Sequence, residues 1–95
     1  MPRFIGVHPV AFSEEQLQPL AKERLPEGVI WNSTYSAEAE SKTYCLWEAP
    51  TKAAVVAIFD KYEIPFEAVH EVRLFDPATG RMEAALAEAK VPSLA

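Results

Sequence analysis

The sequence has few of the residues on which most recognisable sites depend. Its 95 residues include one cysteine, three glycines and two histidines. The single cysteine, Cys45, excludes an intramolecular disulfide and a cysteine-rich metal site, and it suits a reducing compartment such as the cytoplasm. The glycines stand far apart, at positions 6, 28 and 80, which excludes a glycine-rich phosphate-binding loop.

Positive charge and long apolar runs are also scarce. Nine lysines and arginines face fourteen aspartates and glutamates, so the formal net charge is −5. That sign argues against a nucleic-acid backbone or an anionic membrane surface as a partner. No apolar run approaches the roughly 18 residues of a membrane span. The length allows one small core, which a ligand or a second copy of the chain would stabilise.

Segments with strand and helix patterns alternate along the chain. Alternation and β-branched or aromatic residues predict strands over residues 3–8, 29–36, 42–49 and 68–75. Capping residues Ser13 and Thr51, each followed by apolar residues at helical spacing, predict helices over 13–25 and 51–62. An alanine- and glutamate-rich segment, with Met82 on its apolar face, predicts a further helix from residue 79.

The order strand-helix-strand-strand-helix-strand is that of the ferredoxin-like α+β fold. This fold predicts a four-stranded antiparallel sheet with both core helices on one face. We expect a ferredoxin-like domain over 1–78 and a helical extension over 79–95. The other sheet face is left open, and the simplest cover is a second copy of the chain, which gives a homodimer of the dimeric α+β barrel type.

Strand alternation predicts which residues lie on each face. Toward the helices we expect Ile5, Val7, Cys45, Trp47, Val72 and Leu74. On the open face we expect Phe4, Gly6, His8, Trp31, Ser33, Tyr35, Tyr44, Leu46, Glu48, Glu71 and Arg73. Within that set, the residues expected to line a ligand pocket or the dimer interface are Phe4, Trp31, Tyr35, Tyr44 and Leu46.

A candidate site follows from the expected strand directions. The first strand is expected to lie between the third and fourth, parallel to the third and antiparallel to the fourth. His8, Glu48 and Glu71 would then converge at one end of the open face. One imidazole and two carboxylates suit a divalent metal such as nickel, zinc, iron or manganese, or acid–base chemistry. The structural alternatives are a solvated His8 and ion pairs for both glutamates.

Four segments resemble a known family. They are Met1 to Ile5, Trp31 to Tyr35, Lys42 to Pro50 and Val69 to Val72, and they are similar to a family of small bacterial proteins grouped as a domain of unknown function. The characterised branch of that family is described as nickel-binding ferredoxin-like dimers. The resemblance implies the fold, the dimer and nickel binding, with His8 matching a histidine of the branch. This sequence has Gly6 where the branch has an acidic residue, and its second helix lacks histidine.

Two functions follow from the sequence. The first is a non-enzymatic homodimer that binds a metal or a small ligand through His8, Glu48 and Glu71. The second is a small cofactor-independent enzyme, similar to an isomerase or a monooxygenase, that holds an organic substrate in an aromatic pocket. Both functions require His8 and Glu48 to lie on the same face of the sheet.

Overall fold

The computed structural model describes residues 1–83 of the chain. Its main sheet contains β1 (Arg3–His8), β2 (Ile30–Ala37), β3 (Lys42–Glu48) and β4 (Ala68–Val72). Two helices connect these strands, α1 (Glu14–Ala21) between β1 and β2, and α2 (Lys52–Lys61) between β3 and β4. A small hairpin follows, formed by β5 (Phe75–Asp76) and β6 (Arg81–Met82). The predicted α+β fold with a four-stranded sheet and two helices is confirmed.

The strand order is β2-β3-β1-β4, and every neighbouring pair is antiparallel. The expectation that the first strand is parallel to the third is therefore wrong. The physical reason is the connection between β2 and β3, which is too short for anything but an antiparallel pair. Since the crossover through α1 makes β2 parallel to β1, β3 must run against both.

Both helices begin where the capping residues predict. The hydroxyl of Ser13 accepts a hydrogen bond from the backbone amide of Gln16, whose side chain accepts one from the amide of Ser13. Thr51 likewise accepts from the amide of Ala54. These bonds satisfy amides that the first turn of a helix leaves without partners. The start of each helix is therefore determined by its local sequence.

The core lies between the sheet and the helices. Its buried apolar residues lie in β1, β3, β4 and α2, or directly beside β2 and β3. They are Phe4, Val29, Cys45, Trp47, Ala49, Val55, Ile58, Phe59 and Val69. Cys45 and Trp47 face the helices, as expected. The first strand has the opposite orientation, because its buried residues are Phe4, Gly6 and His8, which pair with Trp47, Cys45 and Thr43. Ile5 and Val7 point to the open face.

The open face matches the expectation in β3 but not throughout. Register places Ser33, Tyr35, Tyr44, Leu46 and Glu48 on it, as predicted. Trp31 pairs with the buried Trp47 and therefore faces the helices, and the register of Glu71 with Phe4 puts it on that side too. Val72 pairs with Arg3 on the open side, against expectation. A β-bulge between Trp31 and Ser33 adds one residue to β2.

The segment after β4 differs from its prediction. The strand ends at Val72, and Leu74 is exposed rather than facing the helices. Residues 79–83 form a turn and a strand instead of a helix. The carbonyl of Asp76 accepts from the amides of Thr79 and Gly80, and Gly80 has a positive φ of 69°. The predicted C-terminal helix otherwise falls on residues 84–95, outside the described part. No helix within residues 1–83 is long and apolar enough to cross a membrane.

Candidate functional site

The structure does not bring His8, Glu48 and Glu71 together. His8 pairs with Thr43 at one end of the sheet, whereas Glu48 pairs with Arg3 at the other. Five residues of β1 separate the two positions, roughly 16 Å along the strand. Glu71 pairs with Phe4, roughly 13 Å from His8 by the same rise. His8 and Glu48 also lie on opposite faces, so the expected convergence is wrong.

Glu48 is part of a polar cluster at the end of the sheet where β3 finishes. Its carboxylate accepts hydrogen bonds from Asn32 at 3.0 Å and from Arg3 at 3.4 Å. Arg3 also donates to Glu83 at 2.6 Å, and this bond is the main reason why the pKa of the Glu83 carboxyl is lowered. Glu48 therefore forms an ion pair, which is the structural alternative to a metal ligand or an acid–base group. Glu71 is exposed. Within residues 1–83, no group of three His, Cys, Asp or Glu side chains is placed to hold a metal ion.

His8 is the unusual residue of the core. It is fully buried, and Nδ1 lies 2.8 Å from the carbonyl oxygen of Pro65. Because a carbonyl oxygen can only accept, Nδ1 carries the proton, and the other ring nitrogen, Nε2, presents a lone pair. Nε2 is buried and has no hydrogen-bond partner among the described residues. Burial lowers the pKa of His8, so the ring is neutral near neutral pH.

A cavity of about 30 Å³ adjoins this ring, between α1 and the sheet. Its wall is almost entirely apolar and is formed by His8, Phe12, Leu17, Leu20, Leu25, Trp31, Cys45, Trp47, Ile58, Phe59, Tyr62 and Ile64. Trp47 is one of these residues, and its Nε1 is the second buried polar side-chain atom without a partner among the described residues. Cys45 also belongs to it, and burial raises the pKa of its thiol. The thiol accepts a hydrogen bond from Thr34 at 3.3 Å.

The loop before α1 closes one side of the cavity. Phe12 lies against His8, with ring centroids 5.6 Å apart. The hydroxyl of Thr43 accepts from the amide of Phe12 at 2.9 Å and donates to the carbonyl of Val10 at 2.8 Å. The hydroxyl of Ser36 donates to the carbonyl of Phe12 at 2.6 Å. We call these three bonds the loop clip, since they fasten the loop to β2 and β3.

Helix α1 covers the cavity only lightly. None of its eight residues is buried, although Leu17 and Leu20 contribute to the cavity wall. Open grooves of about 460 and 550 Å³ run beside α1, and Trp31 and Thr34 line both. The cavity thus lies beneath the least buried element of the fold.

Sequence reasoning singled out His8 but missed its surroundings. It placed the residue on the open face, and it assigned no role to Trp47 Nε1 or to Thr43. One signal was available, namely the glycine in β1. A glycine inside a strand often marks a close approach of another group, and here Gly6 lies beneath the rings of Phe59 and His8.

Comparison with known proteins adds a family. Neither a curated protein nor a solved structure gives a significant match. A family model described as nickel responsive protein SCO4226-like matches residues 7–72. The matched range runs from the last two residues of β1 to the end of β4 and includes His8 and the whole cavity wall. Because it covers more than half of the sequence, the chain belongs to the family of nickel responsive SCO4226-like proteins.

Proposed function

We propose that the protein is a non-catalytic binding protein whose ligand occupies the core cavity and contacts Nε2 of His8. The observation that carries the proposal is the lone pair of that atom, which is buried without a partner. Leaving a buried polar atom unpaired costs about 1–3 kcal/mol, and a ligand that pairs with it recovers this energy. The bond to Pro65 fixes the ring tautomer, so the lone pair is already oriented for a ligand.

The family name suggests nickel as a ligand. The metal-binding side chains of the cavity wall can therefore be compared with the number and type of donors that coordinate nickel. His8 and Cys45 are the two metal-binding side chains of the cavity wall. Nickel in nitrogen and sulfur surroundings takes four or more donors. An apolar wall offers no compensation for a divalent charge, and burial already disfavours the charged forms of both side chains. Residues 1–83 of one chain therefore do not fit a complete nickel site.

The enzyme alternative receives less support from the geometry. The carboxylates expected to act as acid and base beside His8 are Glu48 and Glu71, and they lie roughly 16 and 13 Å from it along β1. A binding protein needs no such catalytic groups beside His8, so binding is the simpler function for this cavity.

Binding to the cavity is tested with small probes and a matched pair of variants. We expect toluene or phenol to cause saturable shifts in the amide NMR signals of Cys45 and Trp47. Cys45→Met fills the cavity and should abolish the shifts. Leu46→Met changes the neighbouring residue, which points to the other face, and should leave them intact. If neither probe nor Ni²⁺ perturbs these signals at millimolar concentration, the proposed function is wrong.

We propose further that the protein is a homodimer through its open sheet face. The two central strands place Ile5, Val7, Tyr44 and Leu46 on that face, and both helices lie on the other side. Tyr35, on the adjacent edge strand, is 62% exposed. An apolar sheet face that no helix of its own chain covers can be buried against the same face of a second copy under two-fold symmetry.

The oligomeric mass tests this proposal. Leu46→Glu places a charge at the centre of the open face and should give a monomer in light scattering after size-exclusion chromatography. Gln18→Glu adds the same charge on exposed α1 and should leave a dimer. A monomeric parent chain, or a Leu46→Glu dimer of unchanged affinity, would contradict the homodimer.

A further inference from the structure

We infer that the ligand of the core cavity is a small, uncharged aromatic molecule that donates a hydrogen bond to His8 Nε2 and accepts one from Trp47 Nε1. The inference rests on the proposed function, because it names the chemical class of the ligand bound at that same site. Three features of the cavity support it, and each concerns a different property of the ligand.

The two unpaired atoms define the polar groups of the ligand. His8 Nε2 can only accept in its tautomer, whereas Trp47 Nε1–H can only donate. Both residues are more than nine-tenths buried, and both form the cavity wall. A ligand that satisfies both atoms therefore needs one donor and one acceptor. The other tryptophan of the wall is already satisfied, since Nε1 of Trp31 donates to Thr34 at 2.7 Å.

The absence of compensating charge excludes ions as ligands. The titratable side chains of the wall are His8, Cys45 and Tyr62. Burial lowers the pKa of His8 and raises that of Cys45, so both side chains are kept neutral. The hydroxyl of Tyr62 is directed to Glu23, at 3.1 Å, outside the wall. An ionic ligand would lose its hydration without gaining a counter-charge.

The rings of the wall favour a planar ligand. Trp31 stacks on Trp47 with an interplanar angle of 12° and centroids 5.7 Å apart. Phe59 makes edge contacts with both His8 and Trp47, at 4.7 and 5.7 Å. Aromatic pairs in stacked or edge arrangements gain about 0.5–1.5 kcal/mol beyond their buried area. A ligand ring entering this cluster finds both kinds of surface.

Entry requires that α1 moves away from the sheet. The cavity holds one or two water-sized groups, which is less than one aromatic ring. Helix α1 has no buried residue, and open grooves flank it on both sides. An outward shift of α1 joins the cavity to the space beside Trp31, where a single ring can be accommodated.

Three single-ring probes that differ in their hydrogen-bonding groups test the ligand class. Phenol donates and accepts, anisole only accepts, and toluene does neither; phenol is uncharged at about pH 7.5. We expect phenol to bind about tenfold more tightly than anisole and toluene, as measured by NMR titration of the parent chain. His8→Phe and Trp47→Phe should each remove most of this preference. Their controls, His70→Phe and Tyr35→Phe, change exposed residues outside the cavity wall and should retain it.

The outcomes separate this inference from the proposed function. Equal affinity for the three probes, or a phenol preference that persists in His8→Phe, would overturn the ligand class while leaving the cavity as a binding site. Stoichiometric Ni²⁺ uptake that is lost in His8→Phe would replace the class with a metal ion. A crystal structure with phenol that shows only a water bridging His8 and Trp47 would also overturn it. Circular dichroism of each variant verifies that it folds.

Discussion

Phe59 occupies the space that a side chain at position 6 would need. A Cβ atom built on Gly6 would lie 2.8 Å from Cζ and 2.9 Å from Cε2 of Phe59, and 3.3 Å from Nε2 of His8. Glycine in β1 thus lets a ring of α2 rest on the strand backbone. This contact places Phe59 edge-on to His8 and forms one wall of the cavity.

Gly6→Ala is expected to destabilise the fold by about 1–3 kcal/mol, because overpacking outweighs the gain in strand propensity. Urea denaturation monitored by tryptophan fluorescence measures this free energy of unfolding. In a Phe59→Leu background the same substitution should cost much less, since the shorter side chain leaves room for Cβ. A loss that is equal in both backgrounds would show that the Phe59 contact is not the cause.

The stability of the protein should fall as the pH drops below the ordinary His pKa of 6.5. Burial lowers the pKa of His8 in the folded state, so below 6.5 the unfolded chain binds the proton that the folded chain excludes. The free energy of unfolding then decreases by up to about 1.4 kcal/mol for each pH unit. The decrease extends down to the lowered folded-state pKa. Denaturation curves between these limits measure the slope.

Two variants assign this slope to one histidine. His8→Phe removes the titrating group and should flatten the pH dependence in this range. His70→Phe replaces the exposed histidine of β4 and should leave the slope as in the parent. A parent slope that survives in His8→Phe would show that other groups are responsible.

In Thr43→Val the loop before α1 should detach from the sheet more often and expose the cavity. The substitution removes two of the three bonds of the loop clip without changing the side-chain volume greatly. The buried thiol of Cys45, the one cysteine of the chain, reports each opening through its rate of modification by a disulfide reagent. Losing buried hydrogen bonds worth about 1–3 kcal/mol should raise that rate about tenfold or more. Thr51→Val removes the cap from the first turn of α2, which lies outside the cavity wall, and is the control. Equal rates in the two variants would indicate global unfolding instead.

Glu83→Gln should loosen the β5–β6 hairpin. The carboxylate of Glu83 accepts from Arg3 at 2.6 Å and from the amide of Leu74 at 2.8 Å, which fastens the hairpin to β1. Limited proteolysis should cut the variant faster within residues 77–80. The pKa of Glu83 is lowered in the fold, so the parent keeps this restraint at neutral pH and loses it as the pH falls through that lowered value. Cleavage that is equally slow in both chains would argue against the restraint.

The sequence was sufficient for the fold because its local signals agree with one another. Ser13 and Thr51 begin helices in the sequence as in the structure, and the order of strands and helices leaves few topologies. The orientation of β1 could not be predicted, since each of its faces carries large apolar residues, Phe4 on one and Ile5 and Val7 on the other. Phe4 competes with Ile5 for the core, and Gly6, which lies on the same face as Phe4 and admits Phe59, favours Phe4.

The site was less predictable than the fold for two physical reasons. Which side chains converge depends on the direction of each strand. Because β3 is antiparallel to β1 and was expected to be parallel, Glu48 lies at the opposite end of the sheet from His8. The unpaired state of Trp47 Nε1 depends on the whole surrounding wall, which no spacing in the sequence encodes. Over residues 79–83, the turn formed by Asp76, Pro77 and Gly80 replaces the start of the predicted helix.

The β-bulge of β2 also limits how copies of this chain can associate. β2 is an edge strand of eight residues, long enough for the edge strand of another molecule to add to it and begin an aggregate. The extra residue, Asn32, interrupts the regular ladder and increases the local twist, so a straight strand finds no continuous row of partners. Its side chain is bonded to Glu48 instead. Growth through this sheet edge is thereby disfavoured.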